Sequence, residues 1–407
     1  MTFKELGLGE GLIEALGYMG FENATPIQTA AIPIILQKKD LLACAQTGTG
    51  KTAAFILPVL EHIATYPRDQ TACLVLAPTR ELAVQIERQI QAFAYFADIS
   101  SRAVYGGGDG QEFEEQKKAL INGANIIVAT PGKLISHLNM GYVKFSKIKH
   151  FILDEADRML DMGFVDDIEK IDSFLPKEKQ TLLFSATFPP KIKSLGKKLL
   201  NAPEEISLAV SKPAAGVLQV AYCLREDQKL ELIRRLIADK PQYKSIIIFS
   251  STKKKVSQIV RGIQKTEKSV QAVSSDLVQS ERELAVRKFK SKETRIIVAT
   301  DVLSRGIDIK DINLVINYDV PGEAADYVHR VGRTARADTT GVAITLITED
   351  DMSKFGRIER LIESEVMKAP LFPDMAQGPK YDPNKRPSRR KSFGKKGGNS
   401  RNWKKRK

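Results

Sequence analysis

The sequence predicts an α/β protein built on buried parallel sheets. Short, continuous apolar runs rich in β-branched residues recur along its 407 residues, as in SIIIF at 245–249. Each run ends abruptly in small polar or charged residues, and helical patterns such as RELAVQIERQIQAF at 80–93 lie between the runs. Continuous apolarity suits strands buried on both faces, and alternation of strands with helices is typical of parallel sheets.

Eight apolar runs are the predicted strands, and the residues that follow them are the candidates for function. In open parallel sheets, ligands bind at the carboxyl ends of the strands. One run, IIVAT, occurs at 126–130 and again at 296–300, which is either chance or the mark of two related lobes. The runs are LLACAQTG (41–48), CLVLAPT (73–79), IIVATPG (126–132), FILDEAD (151–157), TLLFSAT (181–187), SIIIFSS (245–251), IIVATD (296–301) and LVINYD (314–319).

The chain divides into two predicted domains and a tail. Residues 1–207 form the first domain, and residues 218–368 form the second. The linker between them is 208–217, LAVSKPAAGV, where Pro, Ala and Gly replace periodic structure. Residues 369–407 contain five prolines followed by basic and glycine-rich sequence, so they are predicted to be a disordered tail that cannot bury a core.

Positive charge is concentrated in the tail. The net charge is +14, and residues 377–407 contribute +12 of it through 13 Lys or Arg and one acid. Such a basic arm indicates an anionic polymer as partner, nucleic acid first and an acidic membrane second. Phe393 and Trp403 can stack on unpaired bases, so the tail is expected to add affinity for single strands.

The composition predicts a cytoplasmic protein without a membrane partner. No apolar run approaches the ~20 residues of a membrane span, and the N-terminus lacks the basic and apolar segments of a secretory signal. Cys44, Cys73 and Cys223 lie in or beside apolar runs without metal-binding spacing, so they are predicted to be small buried hydrophobes.

A candidate phosphate-binding loop follows the first strand run. AQTGTGKT, which begins at Ala45, matches the pattern G-x-x-x-x-G-K-[ST] except that this alanine replaces the first glycine. Backbone N–H groups around Gly48 and Gly50 can wrap a phosphate, Lys51 can reach the β- and γ-phosphates, and the Thr52 hydroxyl can hold Mg²⁺. The alternative, a structural turn without ligand, leaves the Lys-Thr pair without a purpose.

Two carboxylates follow the FIL run. Asp154 is placed to hold Mg²⁺ through water, and Glu155 can polarise an attacking water. A carboxylate run at a solvated helix start is the alternative, and the phosphate loop upstream argues against it. A nucleoside triphosphate with Mg²⁺ is therefore the expected cofactor.

Together these motifs resemble the DEAD-box ATP-dependent RNA helicases, and the short chain with its basic tail is similar to the bacterial RhlE-like group. The similarity spans about residues 3–368, with the motifs in the family's order. It implies two tandem RecA-like domains that use ATP to unwind or remodel short RNA duplexes or RNA–protein complexes. It also implies backbone contacts to RNA without sequence specificity, a basic tail that adds RNA affinity, and a monomer with partners in ribosome assembly or RNA decay.

The resemblance assigns nucleotide contacts and coupling residues in both lobes. Phe3 would stack on the adenine, and Gln28, in GFENATPIQ, would hydrogen-bond its edge. In YVHRVGRTAR, Arg333 and Arg336 would reach the γ-phosphate as arginine fingers. The remaining implied nucleotide contacts are Thr47, Gly48, Thr49, Gly50, Thr52 and Asp308, and the implied coupling residues are Asp157, Ser185, Thr187 and His329.

RNA contacts are implied in segments of both lobes. PTRELA, the glycine run at 106–108 and TPGK would face RNA from the first lobe. FSST, QSER and ATDVLSRGIDI would face RNA from the second. The implied contacts are Pro78, Thr79, Arg80, Gly106, Gly107, Thr130, Pro131, Gly132, Lys133, Ser251, Thr252, Gln279, Arg282, Thr300, Asp301 and Arg305.

Five positions depart from the family's usual pattern outside the phosphate loop. Ala24 stands for a Pro, Lys133 for an Arg, Ser274–Ser275 for a His-Gly pair and Ala335 for a Gly. None of these positions touches the implied ATP chemistry. Lys133 keeps the charge but loses the bidentate fork of arginine, so the departures bear on RNA affinity.

Two other functions share these residues. A nucleic-acid clamp would bind ATP and grip RNA without unwinding it, and strand displacement on short and long duplexes would separate it from a helicase. A DNA-translocating motor uses the same two-lobe plan, and only the resemblance favours RNA and ATP. The resemblance also places Thr130 and Thr300 beside RNA phosphates, one per lobe, which favours equivalent strands over chance for the IIVAT repeat.

Overall fold

The computed structural model describes seven stretches of the chain. They are 1–45, 48–208, 217–238, 240–274, 277–300, 312–334 and 341–384, without the side chains of Gln279 and Ala325. Most of the predicted linker, 209–216, and the last part of the predicted tail, 385–407, lie outside them. Five predicted site residues also lie outside them: Thr47, Asp301, Arg305, Asp308 and Arg336.

Within the described residues, the strands form two parallel sheets of seven strands each, which confirms the predicted fold class. We call the first sheet with its helices the first lobe. Its strands are β1 (Leu41–Cys44), β2 (Cys73–Leu76), β3 (Ser101–Val104), β4 (Ile126–Ala129), β5 (His150–Leu153), β6 (Gln180–Ser185) and β7 (Glu204–Ser207). Its helices are α1 (Glu10–Tyr18), α2 (Pro26–Leu36), α3 (Lys51–Ile63), α4 (Arg80–Phe93), α5 (Gly110–Asn122), α6 (Pro131–Asn139), α7 (Ala156–Asp161), α8 (Val165–Asp172) and α9 (Pro190–Leu199).

The second lobe is the second sheet with its helices. Its strands are β8 (Val217–Cys223), β9 (Ile246–Phe249), β10 (Val270–Val273), β11 (Ile296–Ala299), β12 (Leu314–Asn317), β13 (Gly341–Ile347) and β14 (Met367–Lys368). Its described helices are α10 (Lys229–Ala238), α11 (Lys253–Ile263), α12 (Gln279–Lys290), α13 (Ala324–Val331) and α14 (Met352–Ile362). Short 3₁₀ turns lie at Lys4–Leu6, Glu226–Gln228 and Glu349–Asp351.

The two sheets have the same strand order, so the lobes match element by element. The first sheet runs β3-β4-β2-β5-β6-β1-β7, and the second runs β10-β11-β9-β12-β13-β8-β14. Matching positions pair β4 with β11, which are the two IIVA strands. The same comparison pairs β2 with β9, β5 with β12 and β1 with β8. The sequence repeat therefore marks structurally equivalent strands.

The two IIVA strands fill equivalent positions between two layers of helices. In β4, Ile126 and Val128 pack into the core on one face of the sheet, and Ile127 and Ala129 pack into the core on the other. The residues of β11 divide in the same way between two cores. All eight side chains are 0% exposed. Since burying one Ile stabilises by roughly 1.5–3 kcal/mol, neither face tolerates a polar residue.

The helices that follow β2 and β9 begin with the same cap. Thr79 accepts a hydrogen bond from the Leu82 amide at 3.3 Å and begins α4. Thr252 accepts from the Lys255 amide at 3.3 Å and begins α11. Threonine at this position satisfies one of the free N–H groups of a helix start. The caps place Thr79 and Thr252 at equivalent points of the two carboxyl edges.

The predicted disordered tail begins too early at residue 369. Residues 369–384, which we call the strap, lie along the second lobe. Met375 is buried in the core of that lobe, and Arg235 of α10 pairs with Asp374 at 2.6 Å. The prolines that indicated disorder also suit an extended strap, because proline fixes φ and needs no strand partner.

The end of the strap is held against β8 and α14. Tyr381 donates a hydrogen bond to Oε2 of Glu359 at 2.6 Å, and its ring packs edge-on against Phe355. A Cβ on Gly378 would lie 1.9 Å from the carbonyl oxygen of Cys223, so only glycine permits this approach. These contacts make the strap part of the second lobe.

Two histidines pack together at the amino end of β5. His150 stacks on His62 of α3 with ring centroids 5.2 Å apart, and its Nδ1 donates to Oε1 of Gln180 at 3.0 Å. Burial lowers the pKa of His150 to about 3 and also lowers the pKa of His62. Both side chains therefore act in packing within the first lobe.

Acid is expected to destabilise the first lobe through this histidine pair. Below the ordinary histidine pKa of about 6.5, the unfolded chain takes up a proton that the folded chain refuses. The contribution of the two neutral histidines to the stability of the fold is therefore complete above that pH. It is lost as the pH falls toward the folded pKa of His150, about 3. The loss is about 1.4 kcal/mol per pH unit for a histidine that stays neutral.

Thermal unfolding at about pH 7 and about pH 5.5 measures this effect. His150→Phe keeps an aromatic ring against His62 and removes one titration, so its melting temperature should fall less on acidification than that of the wild type. An equal fall in the melting temperature of both proteins would contradict the assignment of this pH dependence to His150.

Candidate functional site

The carboxyl edge of the first sheet is divided between two groups of predicted site residues. The phosphate loop, the DEAD carboxylates and the SAT segment follow β1, β5 and β6, which are neighbours in the order β5-β6-β1. PTRELA, the glycine run and TPGK follow β2, β3 and β4, which are neighbours in the order β3-β4-β2. The topology therefore places the predicted nucleotide residues on one half of the edge and the predicted RNA residues on the other.

Gly50 joins the phosphate loop to the segment that carries Gln28. Gly50 precedes α3 with φ 89°, and a Cβ there would lie 2.4 Å from Nε2 of Gln28. That Nε2 donates to the Gly50 carbonyl at 3.1 Å, while Oε1 of Gln28 accepts from the Thr25 amide at 2.8 Å. Each end of the Gln28 amide keeps one further donor or acceptor for a base edge.

Lys51 presents a buried ammonium at the start of α3. The residue is 6% exposed, and its Nζ has no hydrogen-bond partner among the described residues. A buried cation is strongly disfavoured unless an anion lies beside it. Because the free N–H groups of a helix start attract phosphate as well, this position has the properties of a phosphate site. Gly48, also at φ 89°, is exposed at the same loop.

Asp154 and Glu155 are both buried at the end of β5 and have different partners. Oδ1 of Asp154 accepts from the Glu155 amide at 2.9 Å, and burial raises the pKa of Asp154 against the opposing charge of Lys51. Glu155 has φ 52°, and its Oε2 accepts from Nη1 of Arg158 at 2.7 Å. A positive φ outside glycine is uncommon and clusters at functional sites.

Asp154 and Thr52 are suitable ligands for Mg²⁺. Carboxylate and hydroxyl oxygens are the hard donors that this ion prefers. In the described part of the chain, no group of three or more His, Cys, Asp or Glu side chains could hold a metal ion. A cation here would therefore take its other ligands from water and from bound phosphates, which is how Mg²⁺ is commonly held.

The SAT segment is hydrogen-bonded to the last residue of the DEAD run. Oδ2 of Asp157 accepts from the amide of Thr187 at 3.1 Å and from its hydroxyl at 3.0 Å. Ser185 donates to the Thr187 carbonyl at 2.6 Å. The three predicted coupling residues of the first lobe are thus in direct contact across the neighbouring strands β5 and β6.

Two cations on the predicted RNA half of the edge lie over aromatic rings. The guanidinium of Arg80 lies 4.4 Å from the ring centre of Tyr105, and Nζ of Lys133 lies 4.5 Å from that of Phe113. Such stacking orients each cation. Arg80 is also ion-paired, with Glu283 at 3.3 Å and Glu112 at 3.9 Å. Around them, Pro78 and Pro131 are buried, Thr79 and Thr130 are partly exposed, and Gly106, Gly107 and Gly132 are exposed.

Two ion pairs of opposite polarity join α4 of the first lobe to α12 of the second. Arg80 pairs with Glu283 at 3.3 Å, and Arg282 pairs with Glu81 at 3.3 Å. Both arginines are predicted RNA contacts, and both pairs require the lobes to be in contact. Although partly exposed pairs contribute only about 0–1 kcal/mol each, they align PTRELA with QSER.

Three predicted RNA residues lie at the carboxyl edge of the second sheet. Thr252 occupies the place that Thr79 has in the first lobe, and Thr300 follows β11 as Thr130 follows β4. Oγ1 of Thr300 is buried without a hydrogen-bond partner among the described residues. The amide and hydroxyl of Ser251 are both bonded to Asp319, so this side chain has a fixed orientation.

The arginine-rich segment of the second lobe is anchored by a residue that sequence reasoning missed. His329 on α13 and Arg333 just after it are 8% and 9% exposed. Arg330 between them is 1% exposed and donates to Oδ1 of Asn317 at 3.2 Å and to the carbonyl of Asp319 at 2.9 Å. It therefore fixes α13 to the end of β12. The polar residues that follow the LVIN run were the available signal for this contact.

The position of Phe3 does not support its predicted role. Phe3 is 3% exposed in the core of the first lobe and packs edge-on against Phe21 with ring centroids 6.5 Å apart. No face of the ring is open to a base, because burial of its apolar surface holds it in the core. Adenine stacking by Phe3 therefore stays a prediction that needs the ring to become exposed.

Two family models match the chain over most of its length. The model described as DEAD/DEAH box helicase matches residues 25–195, and the one described as Helicase conserved C-terminal domain matches residues 228–338. The DEAD-box ATP-dependent RNA helicase CshA of Geobacillus kaustophilus is 39% identical over 380 residues, which cover 93% of this chain and 80% of that protein.

Two solved structures share the architecture but agree with it to different degrees. S. cerevisiae Dbp5 bound to RNA and ADP BeF3 has a TM-score of 0.81 at 32% identity, covering 90% of this chain and 95% of that chain. A DEAD box protein from the hyperthermophile Methanococcus jannaschii has a TM-score of 0.53 at 38% identity, covering 91% and 99%.

Gly50→Ala is expected to weaken nucleotide binding at least about tenfold. The positive φ would cost an alanine about 1–2 kcal/mol, and its methyl group would displace the Gln28 amide. Titration with a fluorescent ATP analogue measures the affinity. Gly11→Ala in α1, where a Cβ meets nothing within 4 Å, is the matched control and should bind like the wild type. Unchanged affinity in Gly50→Ala would show that the loop does not need this conformation.

Proposed function

Since this chain belongs to the DEAD-box ATP-dependent RNA helicases, we propose that it hydrolyses ATP at the first lobe to unwind or remodel short RNA duplexes or RNA–protein complexes. The observation that carries the proposal is the divided carboxyl edge of the first sheet. One half holds the unpaired ammonium of Lys51 beside the buried carboxylates, and the other half holds Arg80 and Lys133. A nucleotide and a nucleic-acid backbone can thus bind side by side.

The residues of the first lobe divide the hydrolysis between them. Lys51 binds the β- and γ-phosphates, and Glu155 orients and polarises the water that attacks the γ-phosphorus, with Arg158 fixing its carboxylate beforehand. Mg²⁺, held by Thr52 and Asp154, would neutralise charge on the phosphates. Gln28 supplies its remaining donor and acceptor to the adenine edge. Contacts of Thr47, Thr49 and Asp308 with the nucleotide are proposed from the family resemblance.

The second lobe completes the site when the lobes meet. Arg333 and Arg336 are proposed to stabilise charge on the γ-phosphate, which is worth about 10³–10⁵ in rate in enzymes with such a finger. His329 lies on α13, which ends just before Arg333, and is proposed to couple the lobes. ATP and RNA each favour the closed arrangement, so each strengthens binding of the other. After hydrolysis the arginines lose the γ-phosphate, the lobes part and RNA leaves.

The arrangement of the lobes supports a closed, RNA-binding state. Its overall similarity is greater to Dbp5 bound to RNA and ADP BeF3 than to the more identical Methanococcus jannaschii protein. The two pairs Arg80–Glu283 and Arg282–Glu81, which join the lobes, support a proposed RNA track that runs across both lobes. The proposed track also includes Ser251, Thr252, Gln279, Thr300, Asp301 and Arg305.

The cellular setting is proposed from the resemblance. The reported relative is named CshA, so it does not support the RhlE-like subgroup that the sequence analysis favours. None of the described helices is long and apolar enough to cross a membrane. We propose a cytoplasmic monomer that acts on RNA in ribosome assembly or RNA decay.

ATP hydrolysis should be stimulated by RNA and not by DNA. Rates are measured without nucleic acid, with RNA and with DNA, on the wild type and on Glu155→Gln. Loss of the water-polarising carboxylate should lower kcat by about 10²–10⁴ while ATP binding persists. Equal stimulation by DNA would indicate a translocating motor. An ATPase rate that RNA does not change would contradict the proposal. Strand displacement on short and long duplexes then separates a helicase, which displaces short strands, from a clamp, which displaces neither.

Deletion of residues 385–407 is expected to weaken RNA binding and flatten its dependence on salt. These residues carry 12 Lys or Arg and no acid, so they supply most of the net charge of +14. Each phosphate contact on a single strand adds about 0.7 to the slope of log K against log salt. The slope should therefore fall by several units while ATPase at saturating RNA persists. The deletion begins after the strap, so the second lobe keeps its core, and an unchanged slope would contradict the role.

A further inference from the structure

The second lobe repeats the charged positions of the nucleotide site in the first lobe. Glu155 lies two residues after the end of β5, and Asp319 lies two residues after the end of β12, the equivalent strand. Lys51 is the first residue of α3, which follows β1, and Lys229 is the first residue of α10, which follows β8. A lysine and a carboxylate therefore stand at matching points of both sheets.

In the second lobe these two residues are bonded to each other. Lys229 is 0% exposed, and its Nζ lies 3.3 Å from Oδ1 of Asp319 and 2.8 Å from Oε2 of Glu226. The equivalent Nζ of Lys51 has no hydrogen-bond partner among the described residues. Asp319 and Glu226 thus occupy the place beside Lys229 that an anionic ligand would take. Lys229 and Asp319 can therefore serve a role other than ligand binding.

Asp319 uses the rest of its carboxylate to hold the turn between β9 and α11. Its Oδ2 accepts from the Ser250 hydroxyl at 2.8 Å, the Ser251 amide at 2.8 Å and the Ser251 hydroxyl at 2.9 Å. Its Oδ1 also accepts from Nζ of Lys255 at 2.7 Å. With Lys229, five donors converge on two oxygens, and an ionised carboxylate, which only accepts, satisfies them all.

The charge on Asp319 is secured by the groups around it. Burial would raise the pKa of its carboxyl group, but Lys229, Lys255 and the hydrogen bonds from Ser250 and Ser251 outweigh burial and hold the pKa well below its usual range. The backbone is fixed as well, because the Asp319 carbonyl accepts from Nη1 of Arg330 at 2.9 Å. Both the side chain and the backbone carbonyl of Asp319 are thus held by hydrogen bonds.

We propose that Asp319 is the positioning residue for the RNA-contacting turn of the second lobe. The lysine–carboxylate arrangement that binds nucleotide in the first lobe binds the protein's own turn here, and it presents Ser251 and Thr252 to the RNA backbone in a fixed geometry. The inference rests on the proposed RNA contacts of those two residues.

A turn that is ordered before binding lowers the entropy lost when RNA binds. If Asp319 has only this role, its loss should appear in RNA affinity and not in the chemical step. Among the described residues, the proposed nucleotide contacts lie in the other lobe, except Arg333, which follows α13. The contact of α13 with the Asp319 backbone carbonyl survives side-chain substitution.

Asp319→Asn tests the proposal directly. An asparagine presents one oxygen, which accepts, and one NH₂ group, which donates. The NH₂ group would face either the serines or the lysines, which are donors themselves and would lose their acceptor. We expect the KM for RNA in the ATPase reaction to rise about tenfold, with kcat at saturating RNA within about twofold of wild type. A purely structural role would instead lower kcat and raise the KM for ATP as well. That outcome, or an unchanged KM for RNA in a folded protein, would overturn the proposal.

Glu226→Gln is the matched control. Glu226 contacts the same two lysines, Lys229 at 2.8 Å and Lys255 at 2.9 Å, but has no hydrogen bond to Ser250 or Ser251 in the described part of the chain. Its substitution should leave the KM for RNA within about twofold of wild type. A rise equal to that of Asp319→Asn would assign the effect to the lysine charges and would overturn positioning of the turn.

Ser250→Ala keeps the test decisive even when Asp319→Asn fails to fold. Ser250 is 0% exposed and is no proposed RNA contact, so its hydroxyl can act only through the turn. We expect the KM for RNA to rise about threefold in Ser250→Ala, and by less than the product of the single effects when it is combined with Asp319→Asn. An unchanged KM in Ser250→Ala would overturn the proposal.

Thr252→Ala separates failure of this inference from failure of the proposed function. A wild type that RNA does not stimulate refutes the function itself. A stimulated wild type whose KM for RNA is unchanged by Thr252→Ala shows that the turn does not contact RNA. A KM that responds to Thr252→Ala but not to Asp319→Asn or Ser250→Ala refutes only the positioning role.

Discussion

The buried ammonium of Lys51 requires an anion beside it, and the first lobe is arranged around this requirement. It lies at a helix start near two buried carboxylates, and its own Nζ has no protein acceptor among the described residues. A charge in that position is stable only with an anion beside it. The second lobe meets the same condition internally, because Lys229 is bonded to Asp319 and Glu226. The two lobes share one framework, and of these two lysines only Lys51 has an Nζ without a hydrogen-bonded acceptor among the described residues, which supports the proposed phosphate site.

The order of the strands separates the proposed nucleotide residues from the proposed RNA residues along one edge of the sheet. The residues proposed to bind the nucleotide follow β5, β6 and β1, and those proposed to contact RNA follow β3, β4 and β2. The boundary between the halves falls between β2 and β5, which are adjacent strands about 4.8 Å apart. Asp157 and Thr187 then link β5 to β6 on the nucleotide side. Short distances of this kind let a change at the phosphates reach the RNA contacts without a long pathway.

Sequence reasoning succeeded where a residue's role follows from its local neighbours. α4 runs from Arg80 to Phe93, as its periodic pattern predicts, and the phosphate loop and DEAD run follow the strands expected for them. Central strands are recognisable because both faces are buried. Edge strands such as β7, EEIS, are largely exposed and lack that signal. β13, GVAITLI, is a buried apolar run of the recognisable kind and could have been predicted.

Roles that depend on distant partners could not be predicted in this way. Arg330 and Asp319 are recognisable only when β9, β12 and α13 are brought together. Phe3 fits its family position in sequence, but the core around Phe21 buries its ring. The strap has the composition of a disordered tail, and its contacts with Arg235 and Glu359 overrule that composition. In each case the partner belongs to a different element of the fold, so the contact follows from the tertiary structure and not from the periodicity of either segment.

The two IIVA strands also create a hazard for assembly. β4 and β11 are interchangeable by sequence, and each could add to the neighbours of the other in a partly folded chain. Chains that contain repeated units are prone to such misassembly. Synthesis from the N-terminus limits the danger, because β4 can pair with β2 and β3 before the ribosome has made β11, 170 residues later. Refolding of the whole chain from denaturant lacks that order, so the full-length protein has more ways to misfold in the test tube than during its synthesis.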